Sequence, residues 1–238
     1  MTPQRLICSS ISSVYAKLAV TLLLVLPALA TPARMQAQSK LFSVAKDSIP
    51  LFNGFSVSFD LIGAAMRVMS DYGEYEGALR LNLHNQYFPV VEVGYGSANH
   101  ERDEVTGLSY KTQAPYFRLG CDLNLLKNKN TPNRLYGGLR YAFTSYKADI
   151  WREDTADPVW GDITSFKMEG ESCSQHWMEI VFGLDAKLWG PLHAGWAVRY
   201  KRRLAHQDGA AGNVWYVPGY GRSGDTRISA NFNVIIDI

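Results

Sequence analysis

From Gly54 to the last residue the chain alternates apolar and polar side chains with a period of two, in segments of about ten residues separated by turn residues. Successive side chains of a β-strand point to opposite sides, so this period describes strands with one apolar and one polar face. Eight segments carry it: Phe55–Met66, Tyr75–His84, Tyr87–Ser97, Ala114–Leu125, Leu135–Tyr146, Cys173–Leu188, Ala194–Arg203 and Thr226–Ile238. In the fourth, Phe117, Leu119, Cys121, Leu123 and Leu125 oppose Arg118, Gly120, Asp122 and Asn124. In the last, Ile228, Ala230, Phe232, Val234 and Ile236 oppose Arg227, Ser229, Asn231, Asn233 and Asp237.

The placement of charge narrows the fold further. Arginines and carboxylates recur at mid-strand on one face, while the other face carries almost none. A soluble sandwich or a lipocalin-like barrel turns its apolar face inward and needs no such charges at mid-strand. A membrane barrel reverses the arrangement, with hydrocarbon outside and polar groups inside. Lipid offers no hydrogen bonds, so the sheet must close and leave no edge. The connections agree. Short ones at His84–Gln86, Leu126–Arg134 and Trp189–Pro191 alternate with long ones at Ser97–Lys111, Asp149–Ser172 and Leu204–Asp225, and only the hairpin at Asp71–Gly73 departs from the pattern. Short periplasmic turns and long outer loops are the usual asymmetry. The expected fold is an all-β, antiparallel, up-and-down transmembrane β-barrel of about eight strands.

The amino-terminal segment reads as an export signal. Arg5 and Lys17 precede the apolar run Leu18–Ala30, and Ala28-Leu29-Ala30 offers a small-x-small cleavage site, with a second after Ala37. Residues 1–30 are thus expected to leave, 31–53 to form an irregular lead-in, and 54–238 to form the barrel. Loss of two basic residues leaves 22 basic against 22 acidic ones, so nothing forms a basic footprint for nucleic acid. Cys121 and Cys173 remain, either bridged or as two free thiols.

The polar face gathers Arg80, Arg118, Arg140, Lys187, Arg199, Lys201 and Arg227 with Asp60, Glu76, Glu92, Asp122, Glu179, Asp185 and Asp237. An eight-stranded barrel is just wide enough for side chains to fill it, and buried charges must pair. The set reads as an interlocked core that closes the lumen, with a narrow polar channel as the alternative. Tyr87, Phe88, Trp189 and Phe55 at one end, and Tyr75, Tyr95 and Phe143 at the other, read as interfacial girdles. Trp151, Trp160, Trp215, Tyr216 and Tyr220 lie in long links too apolar to be idle; they either pack over the barrel mouth or present a recognition surface. No catalytic constellation stands out: Ser174 and His176 share a strand face, but Glu179 falls on the opposite one. His84, His100, His193 and His206 lack ligand spacing, and Gly219-Tyr220-Gly221 is a turn rather than a phosphate cradle, so no metal, cofactor or enzymatic activity is expected.

The runs Arg134–Phe143, Phe182–Pro191 and Trp196–Arg203, together with Trp215-Tyr216-Val217-Pro218, resemble an uncharacterised family of small outer-membrane barrels from Bacteroidetes, a domain of unknown function, over Asp47–Ile238. The resemblance implies the barrel and an outer-membrane location, and no activity. The expected role is a closed, non-enzymatic scaffold that displays loops outside the cell. Its partners would be outer-membrane lipid, the barrel-insertion machinery and a protein met through the loops. A small channel or a transport or secretion accessory is the alternative, and a lipid-modifying enzyme the third reading.

Overall fold

The computed structural model describes residues 50–238, apart from 105, 157–162, 208 and 213. Eight antiparallel strands close into a barrel: β1 (Phe52–Asp60), β2 (Tyr72–Leu83), β3 (Tyr87–His100), β4 (Leu108–Asn124), β5 (Arg134–Ala156), β6 (Ile163–Trp189), β7 (Leu192–Gln207) and β10 (Thr226–Asp237), each paired with its sequence neighbours. The ring closes where Ser56–Asp60 of β1 pair with Asn233–Asp237 of β10. A two-stranded ribbon, β8 (Tyr216–Val217) and β9 (Gly221–Arg222), lies in the link between β7 and β10. β1 starts at Phe52, two residues inside the stretch read as lead-in, and the export-signal reading concerns residues outside the described ones.

The alternation sets which face points where. On β6, Met178, Ile180, Phe182, Leu184 and Leu188 are exposed on the outside, while Trp177, Glu179, Val181 and Asp185 between them are buried inside. Ten residues of a strand tilted as in other barrels span about 25 Å along the barrel axis, the height of a hydrocarbon band. Above it the outward face turns polar, at Gln113 and Lys111 on β4 and at Ser145 and Lys147 on β5.

The structure departs from the sequence-based expectation in three places. The first expected strand, Phe55–Met66, stops at Asp60, and helix α1 (Leu61–Met69) takes over. Strict alternation ends at Leu61, and Leu, Ala, Met and Arg favour a helix. Asp60 starts it: its carboxylate accepts from the amides of Ile62 (3.2 Å) and Gly63 (3.0 Å), an N-cap. The same carboxylate accepts from Asn231 Nδ2 (2.9 Å) and the amide of Phe232 (3.2 Å), which anchors the break to β10. Glycines let the helix approach β2 closely: a Cβ on Gly73 would overlap the Arg67 backbone. The irregular hairpin at Asp71–Gly73 is therefore a helical link, on the same side of the barrel as the links Ser97–Lys111, Asp149–Ser172 and Leu204–Asp225.

Second, the link Asp149–Ser172 is mostly ladder. β5 and β6 continue past the apolar band as a ribbon, with Ile150 opposite Met168 and Arg152 opposite Phe166. Alternation does run through Ile150–Arg152 and Phe166–Met168, but without the apolar outer face that marks the lower segments. Third, Phe88 is no girdle residue. It points inward, 2% exposed, under the Arg134 guanidinium at 5.3 Å. Phe88 and Tyr87 are neighbours and cannot share a face.

Candidate functional site

The lumen is filled by charge. Arg118 at its centre forms ion pairs with Glu76, with Glu92 (3.3 Å) and with Glu179 (2.9 Å). Arg199 reaches Glu76 (2.8 Å), Glu92 (2.6 Å) and Glu179 (3.4 Å). Arg140 bridges Glu92 (3.0 Å) and Asp122 (2.7 Å), and Arg80 joins Asp122 (3.3 Å) to Asp185 (3.9 Å). The strand register builds this lattice, since Glu92 lies opposite Arg118, Arg140 opposite Glu179, and Glu179 opposite Lys201. Opposite charges facing each other across strands are the favourable cross-strand arrangement. Every one of these residues is 9% exposed or less, and each buried guanidinium meets at least two carboxylates. Tyr116 and Trp177 complete the packing by donating to Glu76 and Glu179, both at 2.7 Å.

Of the fourteen residues assigned to the lumen from the sequence, two stand at its rims and outside the buried lattice. Lys187 is exposed at the lower mouth, opposite His193 and beside the Gly190–Pro191 turn, in a cleft it shares with Arg134, His193 and Asp237. Arg227 stands at the opposite rim and donates to the carbonyls of Arg222 and Ser223, both at 2.7 Å. Asp60 is buried but serves the helix cap, and Asp237 binds Arg134 and His193 at the lower mouth. Three participants were not named from the sequence: Glu74, Arg134 and His193. Each sits one or more even steps from a named inward residue, Glu74 from Glu76, Arg134 from Arg140 and His193 from Arg199, so strict alternation contained the signal.

The upper mouth is closed by the link between β7 and β10, which folds inward. Tyr216, Val217 and Tyr220 are buried, 2%, 0% and 1% exposed. Its carbonyls are held from below: Arg118 Nη2 donates to Gly219 O (2.6 Å), Lys201 Nζ to the same oxygen (2.8 Å), and Tyr110 Oη to Tyr216 O (2.7 Å). Gly219 has φ +79° and lies against the Tyr116 ring, where a Cβ would overlap it, so this position admits only glycine. Burial raises the phenols of Tyr216 and Tyr220 above their usual range, which keeps both neutral. Of the two readings of the aromatic links, packing over the mouth holds for Tyr216 and Tyr220, which are too buried to form a recognition surface. Apolar rings this close to a barrel mouth gain more by burial than by exposure to water. Trp215 is half-buried, stacked on His100 at 4.5 Å, and Trp151 is half-buried on the outer side of β5. Trp160 lies outside the described residues.

Above the plug, the raised wall of β4, β5 and β6 encloses a vestibule of about 680 Å³, lined among others by Leu108, Tyr110, Ile150, Phe166, Trp215 and Arg222. Cys121 is on the outer face and Cys173 is buried inside, and no disulfide joins them. The serine–histidine pair assembles no triad, since His176 faces outward against Tyr141 Oη (2.8 Å) while Glu179 is committed to the lumen lattice.

A closed antiparallel ring of eight strands with a charged, filled interior defines the class: a small up-and-down β-barrel. Residues 15–237 match the family described as a domain of unknown function (DUF6048), and the chain belongs to that family. The fold is similar to that of a major outer membrane protein from Thermus thermophilus, at 14% identity and a TM-score of 0.41, over 77% of this chain and 98% of that one. It is also similar to CarO2 of Acinetobacter baumannii, at 13% identity and a TM-score of 0.37, over 80% of this chain and 100% of that one. No curated protein matches the sequence.

Proposed function

We propose that the protein is an outer-membrane barrel with a sealed lumen, exported by its amino-terminal signal, that acts on the outer side of the cell through the raised wall and links around the vestibule. It is a structural or interaction protein rather than a channel or an enzyme. The observation that carries this reading is the lumen itself: a lattice of buried ion pairs fills it, and a link folds inward over its upper mouth. The apolar band of about 25 Å supports the membrane, because in water such a face would be an unusually large exposed patch. The even strand count puts both ends of the barrel on the side of the short turns, which is the periplasmic side. Lipid and the insertion machinery are then the partners in biogenesis, and the outer links are the surface that meets a protein partner.

The test joins conductance to sidedness. In planar bilayers the purified protein is expected to pass no measurable ion current. In cells, single cysteines at Lys167 and Gly212, with Cys121 and Cys173 replaced, should react with an impermeant thiol reagent, and cysteines at Asn85 and Asn130 should not. Steady current overturns the sealed lumen in favour of the channel. Labelling at Asn85 without labelling at Lys167 reverses the topology. Removal of residues 1–30 is a separate expectation: sequencing the amino terminus of membrane-purified protein should read from Thr31, or from Gln38 if the second site is used, and Met1 at that position would refute it.

A further inference from the structure

We propose that the outer vestibule is a binding site for a small amphiphilic carboxylate, an apolar or aromatic body bearing one anionic group. At about 680 Å³ the cavity lies within the size range of small-molecule sites, roughly 300–1,000 Å³. Its two walls differ in chemistry. Leu108, Tyr110, Ile150 and Phe166, from β4, β5 and β6, make one of them apolar. Arg203 at the top of β7, Arg222 on β9 and Arg227 at the top of β10 make the other cationic.

These arginines are unlike those of the lumen, each of which meets two or more carboxylates. The Arg222 guanidinium lies over the rings of Trp215 (5.2 Å) and Tyr72 (5.7 Å), with no carboxylate in ion-pair range among the described residues. Arg227 is fixed by the two loop carbonyls of Arg222 and Ser223, which orient it without neutralising it. Arg203 pairs through Nη2 with Asp225 (2.6 Å), an 87% exposed carboxylate, and its Nη1 has no hydrogen-bond acceptor among the described residues. Asp103, the other acidic lining residue, is engaged by Thr106 (2.9 Å from its amide) and lies 3.7 Å from His100. Three guanidinium groups therefore face two carboxylates, and two of the three are held in place by aromatic faces and carbonyls alone. Guanidinium groups fixed before the ligand arrives bind a carboxylate through paired, charge-assisted hydrogen bonds at little ordering cost. The apolar wall opposite supplies area for the body of the same molecule.

The route of entry selects the source. Leu108, Tyr110 and Ile150 belong to the inward face of the raised wall, so the vestibule opens to the water above the barrel and not sideways to lipid. The ligand comes from the medium. The compartment rests on the outer-face reading above; the site itself does not, and binding to purified protein is independent of whether the barrel conducts.

The test uses the full mature chain in lipid nanodiscs, titrated with 1-naphthoate, its neutral isostere 1-naphthalenemethanol and its cationic isostere 1-naphthylmethylammonium, followed calorimetrically. Saturable 1:1 binding of the carboxylate is expected, at least about tenfold tighter than that of the alcohol, as a charge-assisted pair predicts, with the ammonium weakest. Arg222→Gln and Arg203→Gln should each weaken the carboxylate about tenfold or more and leave the alcohol unchanged, while Phe166→Ala weakens both. Unchanged thermal melting of Arg222→Gln, an exposed position, separates lost recognition from lost fold. Equal affinity for acid and alcohol, indifference of the carboxylate to both arginine variants, or no saturable binding at millimolar concentration would each overturn the proposal.

Discussion

Arg118→Ala is expected to destabilise the barrel by about 3–5 kcal/mol, measured by urea unfolding of the protein in lipid vesicles. The substitution removes one of the two guanidinium groups, the other being that of Arg199, that pair with Glu76, Glu92 and Glu179 at the centre of the lattice, and leaves those buried carboxylates short of compensating charge. It also frees Gly219 O, so the plug loses one of its two cationic donors, and Lys201 alone remains on that carbonyl. Two companions set the scale. Lys187→Ala, at an exposed position on the lower rim, should stay within about 0.5 kcal/mol of the parent. Removing a carboxylate together with the arginine, as in Arg118→Ala with Glu76→Ala, should recover part of the loss, because the two residues are directly coupled. A parent-like unfolding midpoint for Arg118→Ala would mean that the lattice is hydrated and that the lumen is open rather than sealed.

Val198→Arg is expected to cost about 2–4 kcal/mol in the same assay, since it places a charge near the middle of the apolar band. Val198 is 53% exposed, yet it lies opposite Phe182 and Ala230, within the run of outward apolar side chains on β6, β7 and β10. In water an arginine at so exposed a site would be almost without effect. The size of the change therefore reads the solvent of that face directly. Gln113→Arg, outward but above the band, is the internal control and should be close to neutral. If both variants unfold like the parent, the outer face is not in hydrocarbon.

These two predictions draw on opposite faces of the same strands, and both faces were legible in the sequence to different depths. The period of two identified Arg118, Arg140, Glu92, Glu179 and Asp122 as one face, and Leu139, Ile180, Phe182 and Val198 as the other, because a strand offers its side chains no third direction. Glu74, Arg134 and His193 lie on the same even steps, each one residue before the start of the alternating segment that the sequence shows.

Other features could not be reached by counting. Helix α1 depends on what Asp60 finds around it: two amides of its own first turn and two groups from β10, at sequence separations of 171 and 172 residues. The burial of Tyr216 and Tyr220 depends on a hole of the right size, on Arg118 and Lys201 below it as donors, and on a glycine at 219 that clears the Tyr116 ring. The separation of the arginines into two populations, those neutralised in the lumen and those left short of carboxylates around the vestibule, depends on the same closure. By itself the sequence determined the strand count and which side chains of the alternating segments share a face, since these follow from local geometry and the solvent on either side. Only the tertiary structure decided which charges meet, what fills the mouth and where a cavity remains, since ion pairs and packing join strands whose proximity exists only once the ring has closed.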